Sequence, residues 1–229
     1  MTVAAAVPLS TPEEGIKELE HAHSLGLKVT MIPSFIRRPV PRLLEEHPEF
    51  AGETFWLDNY AIDSPHDYDP FWAKCIELGF PVGAHTGGMG LHDRSSVSNY
   101  MHNHMGHFAA AGELLAKGLL MGGVTRRFPQ LRVVLLEGGV INGARLYTDI
   151  VSRWQVRAIM SFDLGHWDVN DMEHAAAEAY KQLEKELMNE DDFRNFAFKF
   201  SIQLYAGPNA DFFKGTRIED DFRRELAEA

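Results

Sequence analysis

The chain has 229 residues, 45% of them hydrophobic, a formal charge of -11, a pI near 5.4 and one cysteine. That is enough apolar material for a substantial core, while the acidic balance argues against nucleic acid or an anionic membrane surface as a partner. One cysteine excludes an internal disulfide framework and suits a reducing cytoplasm; no apolar run reaches the ~20 residues of a membrane span, and "MTVAAAVPLS" lacks the positive start of a secretory signal.

Short apolar runs alternate with longer amphipathic ones, the pattern of βα units around a parallel sheet. "TVAAAVP" reads as a strand and "TPEEGIKELEHAHSLG" as the helix after it, with Ser10 or Thr11 as N-cap, Pro12 in the first turn and Gly26 as the stop. "LKVTMIP" is the next strand. The connection from Ser34 to Asp69 is expected to be irregular, with one short helix, and a length of that kind is usually functional or a lid. "PFWAKCIELG" then reads as a helix that starts at Asp69 and Pro70 and buries Cys75, followed by the strand "FPVGAH". A helix through "AAAGELLAKGLL", a connector "TRRFPQ" and the strand "LRVVLL" come next. "VINGARLYTDIVSRWQ" is predicted helical, "VRAIMSF" a strand and "DMEHAAAEAYKQLEKELMN" an amphipathic helix, and the tail reads as short helices packed by their phenylalanines. No repeat, low-complexity segment or linker divides residues 1–229, so one domain is the expectation.

In a parallel α/β barrel, functional side chains project from the C-terminal ends of the strands. Three predicted strands end on His85, on Glu137 before Gly138 and Gly139, and on Asp163. An imidazole with carboxylates is the usual first shell of a catalytic divalent metal, and a free carboxylate nearby can act as base on water. Each residue also has a plainer reading. His85 can be a hydrogen-bonded structural residue, Glu137 a cap and Asp163 a turn former.

The segments "ELGFPVGAHTGG", "SVSNYMHNHMGHFAAAGELLAKGLLMGGVTRRFPQLRVVLLEGGV" and "FDLGHWDVNDM" closely resemble the amidohydrolase-related group that includes aminocarboxymuconate-semialdehyde decarboxylase, within the metal-dependent amidohydrolase superfamily. The resemblance is strongest over residues 57–172. It implies a distorted (β/α)8 barrel of the TIM type, a divalent metal (zinc, with manganese or iron as alternatives), His85 as a ligand and Asp163 as the carboxylate that binds metal and moves protons. Glu137 stands where the decarboxylases carry a His, as a second ligand or base. The family opens on a His-x-His pair on its first strand. Here no predicted strand carries one, and His21 and His23 of "EHAHS" sit about 200° apart on a helix. An incomplete barrel is therefore expected, lacking the first strand and an internal piece, since a complete one needs ~250 residues.

His102, His104 and His107 enter the helix after the His85 strand, so they fall on the same rim; His104 and His107 share a helical face. Helix capping and packing is the plainer reading of the three; the functional one is that one of them touches substrate or a metal-bound species, with His107 as a catalytic candidate and His104 as a binding one. His166 and Trp167 are candidate pocket wall, and Arg94 and Asn99 candidates for binding an acidic substrate. By resemblance the expected function is that of a metal-dependent hydrolase or C–C lyase of the decarboxylase kind, acting on a small carboxylated or aromatic-derived molecule. The alternative is a catalytically impaired fragment that serves as a binding or oligomerising module. A cytoplasmic homo-oligomer with a small-molecule substrate is the corresponding expectation for location and partners.

Overall fold

In the computed structural model, residues 3–86, 95–104, 107–138, 157–166, 169 and 171–227 are described. The chain divides into two compact units, Met1–Trp154 and Gln155–Ala229.

The first unit is built on a four-stranded parallel sheet in the order β1 (Ala4–Ala6), β2 (Val29–Ile32), β5 (Val82–Ala84), β6 (Val133–Leu135). The register pairs Ala5 with Thr30, Met31 with Gly83 and Gly83 with Val134. Strand β5 is buried at all three positions, as an interior strand covered on both faces should be. Helix α1 (Pro12–Ser24) starts where the sequence says it should: Thr11 accepts a hydrogen bond from the Glu14 N–H and Pro12 sits in the first turn. It stops at Gly26, whose φ of 78° allows the Leu27 N–H to reach back to the Ala22 carbonyl. The apolar face of α1, with Leu19 and Ala22, joins Phe71, Trp72 and Cys75 of α3 (Asp69–Glu77) in one core with Val82 and Ala84. Four of the five expected parallel strands are thus present in one α/β sheet; the described residues show four strands in it and no closed barrel.

The connection from Ser34 to Asp69 is more ordered than its sequence suggests. Strands β3 (Ile36–Pro39) and β4 (Phe55–Asp58) form an antiparallel pair, with Ile36 opposite Asp58 and Arg38 opposite Trp56. The short helix α2 (Pro41–Glu46) and one 3-10 turn lie between them. A four-residue strand such as β3, with two arginines and a proline, has too little apolar content to be read as a strand. Cross-strand pairing supplies what propensity does not, as in the Arg37 guanidinium 4.7 Å from the Phe55 ring centre.

Two helices follow β5: α4 (Tyr100–His104) and α5 (His107–Met121). The "TRRFPQ" connector then contains one further helical turn, α6 (Val124–Arg127). Two glycines of α5 differ in what they permit. A methyl at Gly118 would lie 2.5–2.9 Å from the Asn59 side chain, whose Oδ1 is fixed by accepting the Ala61 and Ile62 N–H groups. At Gly112 the nearest atom would be 3.5 Å away. Gly118→Ala is therefore expected to destabilise the protein by about 1–3 kcal/mol. Gly112→Ala should be neutral or stabilising by up to about 1 kcal/mol through helix propensity. Urea unfolding of the two variants checks the contrast.

The second unit is helical where its elements are described: α7 (Ala175–Glu184), α8 (Glu190–Arg194), a π-helical turn (Asn195–Lys199), α9 (Phe200–Ala206) and α10 (Glu219–Ala227). Its small core of Ile202, Ala206 and Phe222, flanked by Phe198 and Phe213, matches the expected phenylalanine packing. The expected strand "VRAIMSF" is not formed over residues 157–162. A π turn leaves carbonyls without their usual i+4 partner, and the Phe196 carbonyl accepts from the Met160 N–H at 3.1 Å instead. That bond ties the segment to the helical tail rather than to a sheet. The expected helix over residues 140–155 lies outside the described residues. Among the described residues, no helix is long and apolar enough to cross a membrane.

Candidate functional site

His85 follows β5 directly, and its backbone N–H donates to the Ile32 carbonyl at 3.0 Å, extending the sheet by one rung. The Leu136 N–H does the same to the Ala84 carbonyl, which brings Glu137 alongside. Glu137 is held at φ 52°, an uncommon conformation for a residue other than glycine. The turn closes with Gly138 N–H on the Leu135 carbonyl, and a Cβ at Gly138 would come within 2.6 Å of Leu135 Cβ. The "LEG" sequence is thus a tight turn that needs its glycine and aims the glutamate back over the sheet. The result is a hydrogen bond of 3.1 Å between His85 Nε2 and Glu137 Oε1 at the C-terminal ends of two adjacent parallel strands. Both side chains remain reachable by solvent, at 29% and 42% exposure. The Phe108 ring lies 5.0 Å from the imidazole, centre to centre, and covers one side of it.

The other expected site residues divide by environment. His107, the first residue of α5, is buried with its ring edge-on to His102 at 6.4 Å. Burial keeps this ring out of bulk solvent. Asn99 accepts the His102 N–H through Oδ1 at 3.0 Å and so braces the start of α4. The His104 backbone belongs to α4, and its side chain lies outside the described residues, as do Arg94 and Trp167. Asp163 and His166 belong to the second unit. There Asp163, at φ 48°, accepts the His166 N–H with its carbonyl and places Oδ2 3.5 Å from His166 Nδ1.

The expected metal site can be tested on its donors. Imidazole nitrogen and carboxylate oxygen are suitable donors for a divalent ion, and a catalytic zinc usually takes three protein ligands. In the first unit His85 and Glu137 supply two, and these bond to each other. Among the described residues no group of three or more His, Cys, Asp or Glu side chains is gathered so as to hold an ion. The described donors do not by themselves fit a metal site.

Sequence reasoning missed a second polar cluster on the same end of the sheet. Asp58, fully buried at the end of β4, accepts from Arg38 Nε at 3.0 Å, from Ser64 Oγ at 2.8 Å and from the Tyr60 N–H at 2.8 Å. Arg38 Nη2 donates to the Tyr68 hydroxyl at 2.8 Å, and that hydroxyl donates to the Leu9 carbonyl at 2.9 Å, just beyond β1. Burial pushes the Tyr68 hydroxyl up to about 12, with Arg38 opposing the shift, and raises Tyr60 further in the same direction. The available signal was the placement of charged residues in otherwise apolar runs, "FIRRPV" and "FWLDNY".

No curated protein sequence matches the chain. The crystal structure of the amidohydrolase map2389c from Mycobacterium avium subsp. paratuberculosis K-10 is similar at a TM-score of 0.47 and 17% identity, covering 99% of this chain and 53% of that one. The chain thus spans about half the length of that protein. The amidohydrolase family matches residues 1–188, well over half of the sequence, and the chain belongs to that family.

Proposed function

We propose that the chain is a hydrolase-type enzyme of the amidohydrolase family whose proton chemistry is carried by His85 and Glu137. Family membership suggests a metal-dependent hydrolase-type function, and the observation that carries the assignment to this pair is their 3.1 Å hydrogen bond at adjacent strand ends. With Glu137 accepting from Nε2–H, the His85 imidazole is fixed in the tautomer that leaves Nδ1 as a free base. Nδ1 can then take a proton from water as it adds to a substrate carbonyl, and the Glu137 carboxylate stabilises the imidazolium that results. A small carboxylated or aromatic-derived substrate, a homo-oligomeric state and a cytoplasmic location complete the reading; in the alternative, a decarboxylase-like C–C cleavage, the pair would instead deliver a proton to the carbon that loses CO2.

General base catalysis contributes roughly 10²–10⁴-fold. In a screen of carboxylate-bearing amides, esters and β-keto acids, run with and without zinc or manganese, His85→Ala is expected to lower turnover by about 10²-fold or more. Glu137→Gln should fall between that variant and the wild type. Unchanged turnover in both variants overturns the assignment. The shortfall in described metal donors favours one second reading, a scaffold with impaired chemistry used for binding or oligomerisation. Calorimetric titration with zinc and manganese separates the two: tight binding that is lost in His85→Ala supports the metalloenzyme, and no binding supports the scaffold.

A further inference from the structure

We propose that Arg38 is the specificity residue of this site, binding the carboxylate of a small carboxylated substrate through its Nη1 edge. The inference rests on placing the reaction at His85 and Glu137, and names what holds the other end of the molecule.

The hairpin of β3 and β4 leaves the C-terminal end of β2, and the Arg38 guanidinium reaches Tyr68, whose hydroxyl sits on the Leu9 carbonyl past the end of β1. His85 stands past the end of β5, and only β2 lies between β1 and β5. Two strand spacings separate the two places, on the order of 10 Å. A small molecule can span that distance with one end at each.

A guanidinium offers five N–H groups in a planar fork. Asp58 engages Nε and Tyr68 engages Nη2, and among the described residues nothing takes up Nη1. The Asp58 oxygens are already committed to Arg38, Ser64 and the Tyr60 N–H. The Tyr60 hydroxyl is buried without a partner among the described residues, its ring edge-on to Tyr68 at 5.1 Å. The cluster therefore holds more donors than acceptors, and its chemical complement is a group that only accepts.

The local charge selects carboxylate over a more highly charged anion. Asp58 neutralises Arg38 locally, and Arg37 alternates to the other face of the strand, over Phe55, so among the described residues of the hairpin no second cation reinforces the site. A single planar fork suits a planar monoanion. With its side chain 15% exposed and fixed on two sides, Arg38 meets such a ligand with little conformational cost.

Also consistent is the backbone around the cluster. Tyr60 and Asp63 both adopt positive φ, at 64° and 57°, in the loop that Asp58 and Ser64 pin down. Strain of this kind persists where surrounding bonds over-determine a conformation, and it concentrates at ligand sites.

The test uses benzoate and its neutral analogue benzamide, titrated into the full chain by NMR. The wild type is expected to bind benzoate and not benzamide. Arg38→Lys retains the charge beside Asp58 but loses the fork, and should weaken benzoate at least fivefold. Arg38→Met paired with Asp58→Leu removes the ion pair as a unit and should weaken it at least tenfold, with thermal melts confirming that each variant is folded. His85→Ala and Glu137→Gln should leave benzoate affinity within twofold, so that failure of the catalytic assignment and failure of the anchor are read separately. Absence of benzoate binding to the wild type, unchanged affinity in Arg38→Lys, or loss in His85→Ala in place of the Arg38 variants each overturns the proposal.

Discussion

Asp58→Ala is expected to lower the stability of the first unit by about 3–5 kcal/mol, the range for removing one partner of a buried ion pair. The side chain has no exposure, and its loss leaves the Arg38 guanidinium, the Ser64 hydroxyl and the Tyr60 N–H without their acceptor in one step. Domains are stable by only about 5–15 kcal/mol, so a substantial unfolded fraction should be visible under mild denaturant. The cost arises from the uncompensated partner rather than from the pair's own strength. Arg38→Met with Asp58→Leu should therefore recover part of the loss, because the stranded guanidinium is removed while the Ser64 hydroxyl and the Tyr60 N–H still lack their acceptor. Urea unfolding followed by fluorescence of Trp56 and Trp72 measures both. A single-variant loss below about 1 kcal/mol, the level of an exposed ion pair, would show that the cluster does not hold the hairpin to the sheet.

The parallel part of the fold was legible because burial there leaves a simple trace. A strand covered on both faces, such as Val82–Ala84, has to be apolar or small throughout, and helix α1 announces its ends with Thr11, Pro12 and Gly26. The same logic located His85 and Glu137, since residues just past such strands have nowhere to go but the rim. It failed on the β3 and β4 hairpin, where stability comes from a buried charge network that joins Arg38, Asp58 and Tyr68 over a span of thirty positions. No local pattern encodes a partner that distant. It failed again at residues 157–162, where the Met160 N–H bonds to the Phe196 carbonyl of a π turn that sequence periodicity does not register. Asp163 was accordingly read as a strand end and is instead a turn residue at positive φ.

Raising the pH from about 8.5 to about 11 should progressively destabilise the first unit. Cys75, Tyr60 and Tyr68 are buried there, and burial raises all three above their ordinary values, Tyr68 to about 12. The sign follows from proton counting. The unfolded chain releases the thiol proton above about pH 8.5 and the phenolic protons above about pH 10, whereas the folded chain retains them. Over that interval the unfolded state binds fewer protons, so stability falls as pH rises. Each group removes about 1 kcal/mol per pH unit once its unfolded form is ionised, and by about pH 11 the three together remove about 5 kcal/mol, comparable to the whole stability of a domain. The onset assigns the groups. Cys75→Ala should move the start of the decline from about pH 8.5 to about pH 10, and Tyr60→Phe should reduce its slope above about pH 10 by roughly a third, since Cys75 and Tyr68 then carry the remainder. Circular dichroism and tryptophan fluorescence recorded across an alkaline titration in fixed urea follow these changes, and a wild-type stability that stays level to about pH 11 would contradict them.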